Sequence, residues 1–117
     1  GLQTIKNKIE GDRREVEFLD KLKKKNPGKT IQCQCYLRDS SGKSVKDPET
    51  GERRRVDNVV IDGKNGKAYE VTSQTADKSA QIEKEIRIRN AGGEYVRNRS
   101  TGELVRIGKV SEVVRID

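Results

Sequence analysis

The stretch Arg54-Arg55-Val56-Asp57-Asn58-Val59-Val60-Ile61-Asp62-Gly63-Lys64-Asn65-Gly66-Lys67-Ala68-Tyr69-Glu70-Val71-Thr72-Ser73 decides how the rest of the chain is read. A β-branched run, a glycine-bearing turn and a second short run predict a hairpin. Asp57 and Glu70 stand inside its two strands. An acid within a strand is costly to bury unless something compensates it, and a divalent cation is the usual compensation. Under strict alternation Asp57 shares a face with Val59 and Ile61, while Val56 and Val60 take the other. Such a strand is apolar on both sides and is expected to be central. Glu70 and Thr72 share one face of the second strand, Tyr69 and Val71 the other. The plain alternatives are that Asp57 pairs with Arg54 or Arg55 and that Glu70 is solvated.

At 117 residues the chain is read as one domain, 1–117, with 30% hydrophobic and 38% charged residues and so a small core. No apolar run approaches the roughly 18 residues that a membrane span needs. Gly1-Leu2-Gln3 reads neither as a signal peptide nor as a natural start, so the chain is expected to be a piece of a longer protein. The net charge of +7 fits a polyanionic partner, with solubility alone as the competing explanation. Its clusters are Lys23-Lys24-Lys25, Arg53-Arg54-Arg55 and the group Arg87, Arg89, Arg97 and Arg99. With one Phe, three Tyr and no Trp, stacking of bases is not expected to be the main binding mode. Together, a basic chain and a paired-acid site suggest metal-dependent chemistry on phosphodiesters, with Mg²⁺ or Mn²⁺ suited to the oxygens and Zn²⁺ as the further candidate.

Cys33 and Cys35 are the only cysteines, and there is no histidine. Alternation puts Ile31, Cys33, Cys35 and Leu37 on one strand face, where two thiols two residues apart are badly placed for a disulfide. They read as core thiols of a chain working in a reducing compartment. The absence of histidine excludes Ser-His-Asp and Cys-His mechanisms.

Along the chain, residues 4–25 predict a helix stopped by Asn26-Pro27-Gly28, followed by a strand over 30–38. Residues 39–52 are expected to be a mobile polar loop in which Asp47-Pro48-Glu49 is only a turn. A second helix is expected from about Thr75, capped by Ser73 or Thr75, with Asp77 in its first turn and Ala76, Ser79, Ile82 and Ile86 as its apolar stripe. Tyr95–Asn98 and Leu104–Ile107 predict a hairpin, and 113–116 a last short strand. In the first helix Ile5, Ile9, Val16 and Leu19 form one apolar group and Phe18 and Leu22 another. Glu15 projects between the groups and needs a partner, either at a functional site or as an edge residue beside an arginine. Lys78 and, more weakly, Gln81 lie where they can swing back towards the Glu70 strand.

The α-β-β-β-α-β order, with Glu15, Asp57 and Glu70-Val71-Thr72 in sequence, resembles the PD-(D/E)XK (restriction-endonuclease-like) nuclease superfamily. It is similar in particular to the toxin domains at the C-termini of polymorphic and contact-dependent growth inhibition toxins of bacteria. Gly11-Asp12-Arg13-Arg14-Glu15 resembles the helical Gly-x-x-x-Glu start. Arg54-Arg55-Val56-Asp57 resembles the Arg-x-Asp strand, and Glu70-Val71-Thr72-Ser73 lies at the E-x-K strand. The likeness covers roughly residues 9 to 96, and the order of the motifs rather than any one of them carries it.

The resemblance implies a mixed α/β fold: a restriction-endonuclease-like core with a mixed central sheet and an additional C-terminal β-hairpin. It implies a metal-dependent endonuclease acting on tRNA or DNA, with tRNA slightly ahead, and a cognate immunity protein as partner. It places the chain as a secreted or cell-surface toxin fragment acting in the cytoplasm of a target bacterium. Glu15, Asp57 and Glu70 would hold the metal. Thr72 stands where the family has lysine, so Lys78 would replace it while Thr72 orients water or phosphate. Arg54, Arg55 and Lys84 would contact the nucleic-acid backbone. The competing readings are a non-catalytic basic nucleic-acid-binding module and a protein-interaction domain meeting an acidic partner.

Overall fold

The computed structural model describes residues 2–117, with nothing said of the side chains of residues 2–5 and 7. The elements run α1 (Leu2–Lys25), β1 (Thr30–Tyr36), β2 (Arg55–Asp62), β3 (Asn65–Thr72), α2 (Ser79–Asn90), β4 (Tyr95–Arg97), β5 (Leu104–Ile107) and β6 (Glu112–Arg115). The fold is therefore mixed α/β, and the predicted element order is recovered.

The β2–β3 hairpin turns on Gly63 and Lys64, with Asp62 opposite Asn65 and Gly63 at φ 63°, a backbone state that glycine adopts without cost. β2 lies between β1 and β3, as a strand apolar on both sides should. The sheet runs β1-β2-β3-β5-β4; β3 also pairs in parallel with β6 along Tyr69–Thr72. β5 joins β3 in parallel at Asn65 and Gly66, and the predicted β4–β5 hairpin is present. Beyond β1, Arg38 and Tyr95 exchange backbone hydrogen bonds at 2.6 and 3.0 Å, so the sheet curls until it nearly closes. Its inside is filled by Cys35, Leu37, Val56, Val59, Ile61, Ala68, Val96, Val105 and Ile107, with Ile88 of α2 added. Burying a side chain the size of Ile88 stabilises by roughly 1.5–3 kcal/mol.

The second apolar group of α1 is the one that enters the core. Phe18 and Leu22 pack with Val60 and Val71 on the outer face of the sheet, and Phe18 meets Tyr69 edge-on at 5.4 Å between ring centres. Ile9 and Val16, from the other group, are 60% and 68% exposed. Lys23, Lys24 and Lys25 sit favourably at the negative end of the helix dipole, and Asn26 closes it by donating from its side chain to the Leu22 carbonyl at 2.9 Å. Among the described residues no helix is long and apolar enough to cross a membrane.

Three local expectations are corrected. The second helix starts at Ser79, not near Thr75, with Lys78 at its N-cap and no side chain capping it. Arg115 explains the delay: its guanidinium takes the carbonyls of Ser73, Gln74 and Ala76, which a helix would need as acceptors. Its buried residues are then Glu85 and Ile88, while Ile86 is exposed.

The loop 39–52 is not loose. Asp47 is buried, and Arg87 of α2 grips it with two hydrogen bonds of 2.9 and 2.8 Å. Arg87 also meets Glu49, and Lys84 meets Glu52.

Strict alternation fails in both β1 and β2. Gln34 has φ 54°, and across it Ile31 packs on the α1 side while Cys35 and Leu37 face the interior. In β2, Val56, Val59 and Ile61 all face the interior, so the break falls at Asp57–Asn58, level with Gln34. Asp57 therefore does not share a regular face with Val59 and Ile61. Both thiols are free; burial pushes that of Cys35 above its ordinary value.

Candidate functional site

The break at Asp57 opens a fork between two strands. The β2–β3 ladder runs from Asp62↔Asn65 only to Asn58↔Tyr69, and beyond it β3 pairs with β6 instead. The Asp57 carboxylate fills the fork, where its Oδ2 accepts the Val71 N–H at 3.1 Å. A backbone donor with no ladder partner is thereby satisfied by a side chain.

Glu70 follows Tyr69, the last residue of β3 laddered to β2, and is buried. Arg54, just before β2, reaches it from below: Nη2 donates to Glu70 Oε2 at 2.8 Å and Nε to Glu85 Oε1 at 3.3 Å. Arg54 is only 8% exposed and Glu85 only 1%. Glu85 in turn accepts from both the backbone N–H and the hydroxyl of Ser111, in the turn before β6. On the open side Lys78 Nζ stands 3.5 Å from Glu70 Oε1 and donates to Gln81 Oε1 at 3.3 Å. The late start of α2 is what puts Lys78 there: it is held at the helix N-cap, directly beside the strand end.

Glu15, an exposed residue of α1, makes no ion pair or hydrogen bond there among the described residues and feels the site only through the charge of Asp57. Partial burial raises its pKa first, and the negative charges of Asp57 and Asp12 raise it further. Burial likewise raises the pKa of Glu70; the neighbouring Asp57 adds to this, and Arg54 and Lys78 oppose it. Arg54 thus serves Glu70 and Glu85 and Lys78 serves Glu70, while Asp57 and Glu15 have no ion-pair partner among the described residues.

Of the residues singled out from sequence, Asp57, Glu70 and Lys78 come together here, while Glu15 lies exposed on α1 without a hydrogen bond or ion pair to them. Thr72 is buried two residues further along β3, where its carbonyl accepts from Ile116. Arg54 does not face a partner in solvent; its guanidinium is used inside the protein, on Glu70 and Glu85. Arg55 is exposed and lies over the Tyr36 ring, 5.7 Å from its centre. Lys84 is turned to Glu52 at 3.6 Å. Glu85 and Ser111 were not foreseen, and neither was Asp47. A buried glutamate on a helix of alternating charge gives no periodic signal, because its partners come from residues far away in sequence.

The donor set suits a hard divalent cation in chemistry and in charge: carboxylate oxygens, with two uncompensated negative charges between them. Among the described residues no three of these side chains converge closely enough to form a coordination sphere as they stand. Asp57 and Glu70 are the pair that would hold an ion. Comparison of the chain with protein-family models, with curated proteins and with solved structures finds no match.

Proposed function

We propose that this chain is a metal-dependent endonuclease domain of the restriction-endonuclease-like type, hydrolysing phosphodiester bonds in nucleic acid, with tRNA slightly favoured over DNA. The observation that carries the reading is the strand fork. It holds Asp57 beside Glu70 and takes Lys78 at its open side. The family resemblance supports the same roles and adds the delivery: a toxin fragment released into the cytoplasm of a target bacterium and neutralised by a cognate immunity protein.

Bound Mg²⁺ or Mn²⁺, or Zn²⁺ in its place, would polarise the phosphoryl oxygen and lower the pKa of the attacking water. The chain's own residues supply the rest. Asp57 is fixed by Val71, so one of its oxygens keeps its direction while the other remains free to bind. Arg54 holds Glu70 from the protein side and leaves its Oε1 towards the opening. Lys78 is a mobile ammonium at that opening, placed to leave Glu70 and neutralise charge developing on a phosphoryl group. Thr72, two residues beyond Glu70 on β3, is the hydroxyl that the resemblance assigns to orienting water or phosphate.

A basic binding module without chemistry is the second reading, and one observation favours it: both Glu70 oxygens already have cationic partners. Cleavage assays on total tRNA and on plasmid DNA separate the two, with Mg²⁺, Mn²⁺, Zn²⁺ or EDTA. Metal-dependent cutting that disappears in folded Asp57→Asn and Glu70→Gln variants is the expected result. Binding without cutting under every metal overturns the nuclease and leaves the module.

A further inference from the structure

At the far end of β1, Tyr36 is 38% exposed, and its Cα partner across the ladder is Arg55 of β2. The Arg55 guanidinium lies 5.7 Å from the ring centre, a cation–π contact. Beside this pair the loop brings Lys46 and Arg53, and together they line a concavity of about 430 Å³. Among the described residues Lys46, Arg53 and Arg55 have no carboxylate within ion-pairing distance, and the one acid at the concavity, Glu52, is turned to Lys84. This surface therefore carries three uncompensated positive charges around the one large aromatic ring presented there.

The surface is also held in shape. The Asp47 N–H donates to the Glu52 carbonyl at 2.7 Å, closing the loop segment on itself, and the Leu37 N–H donates to the Arg54 carbonyl at 3.0 Å, joining the chain just after β1 to the chain just before β2. The buried Asp47–Arg87 pair fastens the loop to α2. A basic surface whose job is solubility needs neither a clamp nor an aromatic ring at its centre. A phosphate backbone needs cations, and an unpaired base needs a flat partner, which a tyrosine ring or a guanidinium plane provides.

We propose that Tyr36, Lys46, Arg53 and Arg55 form a binding site for single-stranded nucleic acid, outside the acidic fork. One unpaired base stacks at Tyr36 and Arg55, and the flanking phosphates lie on Lys46 and Arg53. The inference rests on the nucleic-acid reading above and names which form of the polymer is held. Arg55 is two residues from Asp57, so a strand seated here continues directly towards the fork. A duplex keeps its bases stacked internally and offers the ring nothing, so the site discriminates in favour of unpaired segments.

The test is fluorescence anisotropy in EDTA, where cleavage plays no part, with a labelled oligouridylate and a labelled blunt-ended RNA duplex as probes. Tyr36→Ala is expected to weaken oligouridylate binding roughly 5- to 100-fold and leave the duplex unchanged, while Tyr36→Phe binds as the unaltered protein does. Lys46→Ala and Arg53→Ala are expected to weaken both probes and lower the salt slope by about 0.7 per cation removed on the single strand. Lys23→Ala, an exposed cation on the last turn of α1, serves as the control for net charge. Unchanged oligouridylate affinity in folded Tyr36→Ala overturns the site, as does an equal loss on both probes or no binding to either. Cutting that persists beside unchanged binding would overturn this inference alone. Binding through Tyr36 without any cutting would overturn the nuclease alone.

Discussion

α2 carries two buried acid–base clusters, one turned to the long loop and one to the strand fork, and they are balanced in opposite ways. At the loop, Arg87 meets Asp47 with matched geometry, and these hydrogen bonds hold the Asp47 carboxyl well below the usual carboxylate range. At the fork, Glu70 and Glu85 share Arg54 and Glu70 also meets Lys78, while Asp57 has no cation against it, and the pKa values of Glu15 and Glu70 are pushed up. The first cluster is complete as it stands. The second is short of positive charge, a condition that costs stability and that a structural ion pair has no reason to keep. Burial alone therefore does not distinguish the two clusters; the balance of charge within them does.

The largest effect should come from removing the anchor beneath the fork. Glu85→Ala leaves Arg54 with one partner fewer in a buried position and leaves Ser111 unbonded, and is expected to cost about 3–5 kcal/mol in urea denaturation. A loss below about 1 kcal/mol would show that Arg54 is held by Glu70 alone.

Asp47→Asn is the corresponding test of the loop, and its signature lies in pH. Asp47 titrates below its ordinary 3.8, so its contribution is fully present above that value and is lost as pH falls through the folded pKa. The unaltered protein should therefore lose stability below about pH 4 faster than Asp47→Asn does. Parallel curves would show that the pair is not a determinant of acid stability.

At the fork the sign reverses. Glu15 and Glu70 have folded pKa values raised above 4.5, so the folded state holds their protons more tightly. Their charged forms cost stability at neutral pH, and that cost fades as pH falls towards 4.5. Asp57→Asn keeps an acceptor for Val71 and removes the repulsion. It should raise stability at pH 7 by about 1 kcal/mol while abolishing the proposed cleavage. Destabilisation instead would show that the Asp57 charge is compensated, erasing the contrast between the clusters.

The smallest effect is expected on the face of α1 that nothing covers: Ile9→Ala and Val16→Ala should each change stability by less than about 0.5 kcal/mol.

The strands, their order and the closing hairpin were legible because each rests on local patterns: the β-branched run of Val56–Ile61, the glycine at 63, the stop at Asn26-Pro27-Gly28. That Asp57, Glu70 and Lys78 would be neighbours was legible because two stand on one hairpin and the third directly follows it. What was not legible depends on partners remote in sequence. The start of α2 is set by Arg115, some forty residues further on. The facing of β1 is inverted by Gln34, a residue type with no strong preference for the left-handed state. On α1 the two apolar groups have the same periodicity, and only the position of the sheet selects Phe18 and Leu22. Arg54 reads as a surface cation in a basic run until Glu85 and Ser111 are brought beneath it.

The parallel pairing of β6 with Tyr69–Thr72 has a consequence for the order in which a ribosome delivers the parts. Glu15, Arg54, Asp57, Glu70 and Lys78 all emerge before Ser111 and β6, and domains consolidate as their segments become available. Until residues 111–115 have left the exit tunnel, Glu85 lacks its serine and the outer edge of β3 lacks its neighbour. A translating chain therefore carries all the acids of the fork without the strand and the anchor that set them in place, and assembles them only when the last strand arrives.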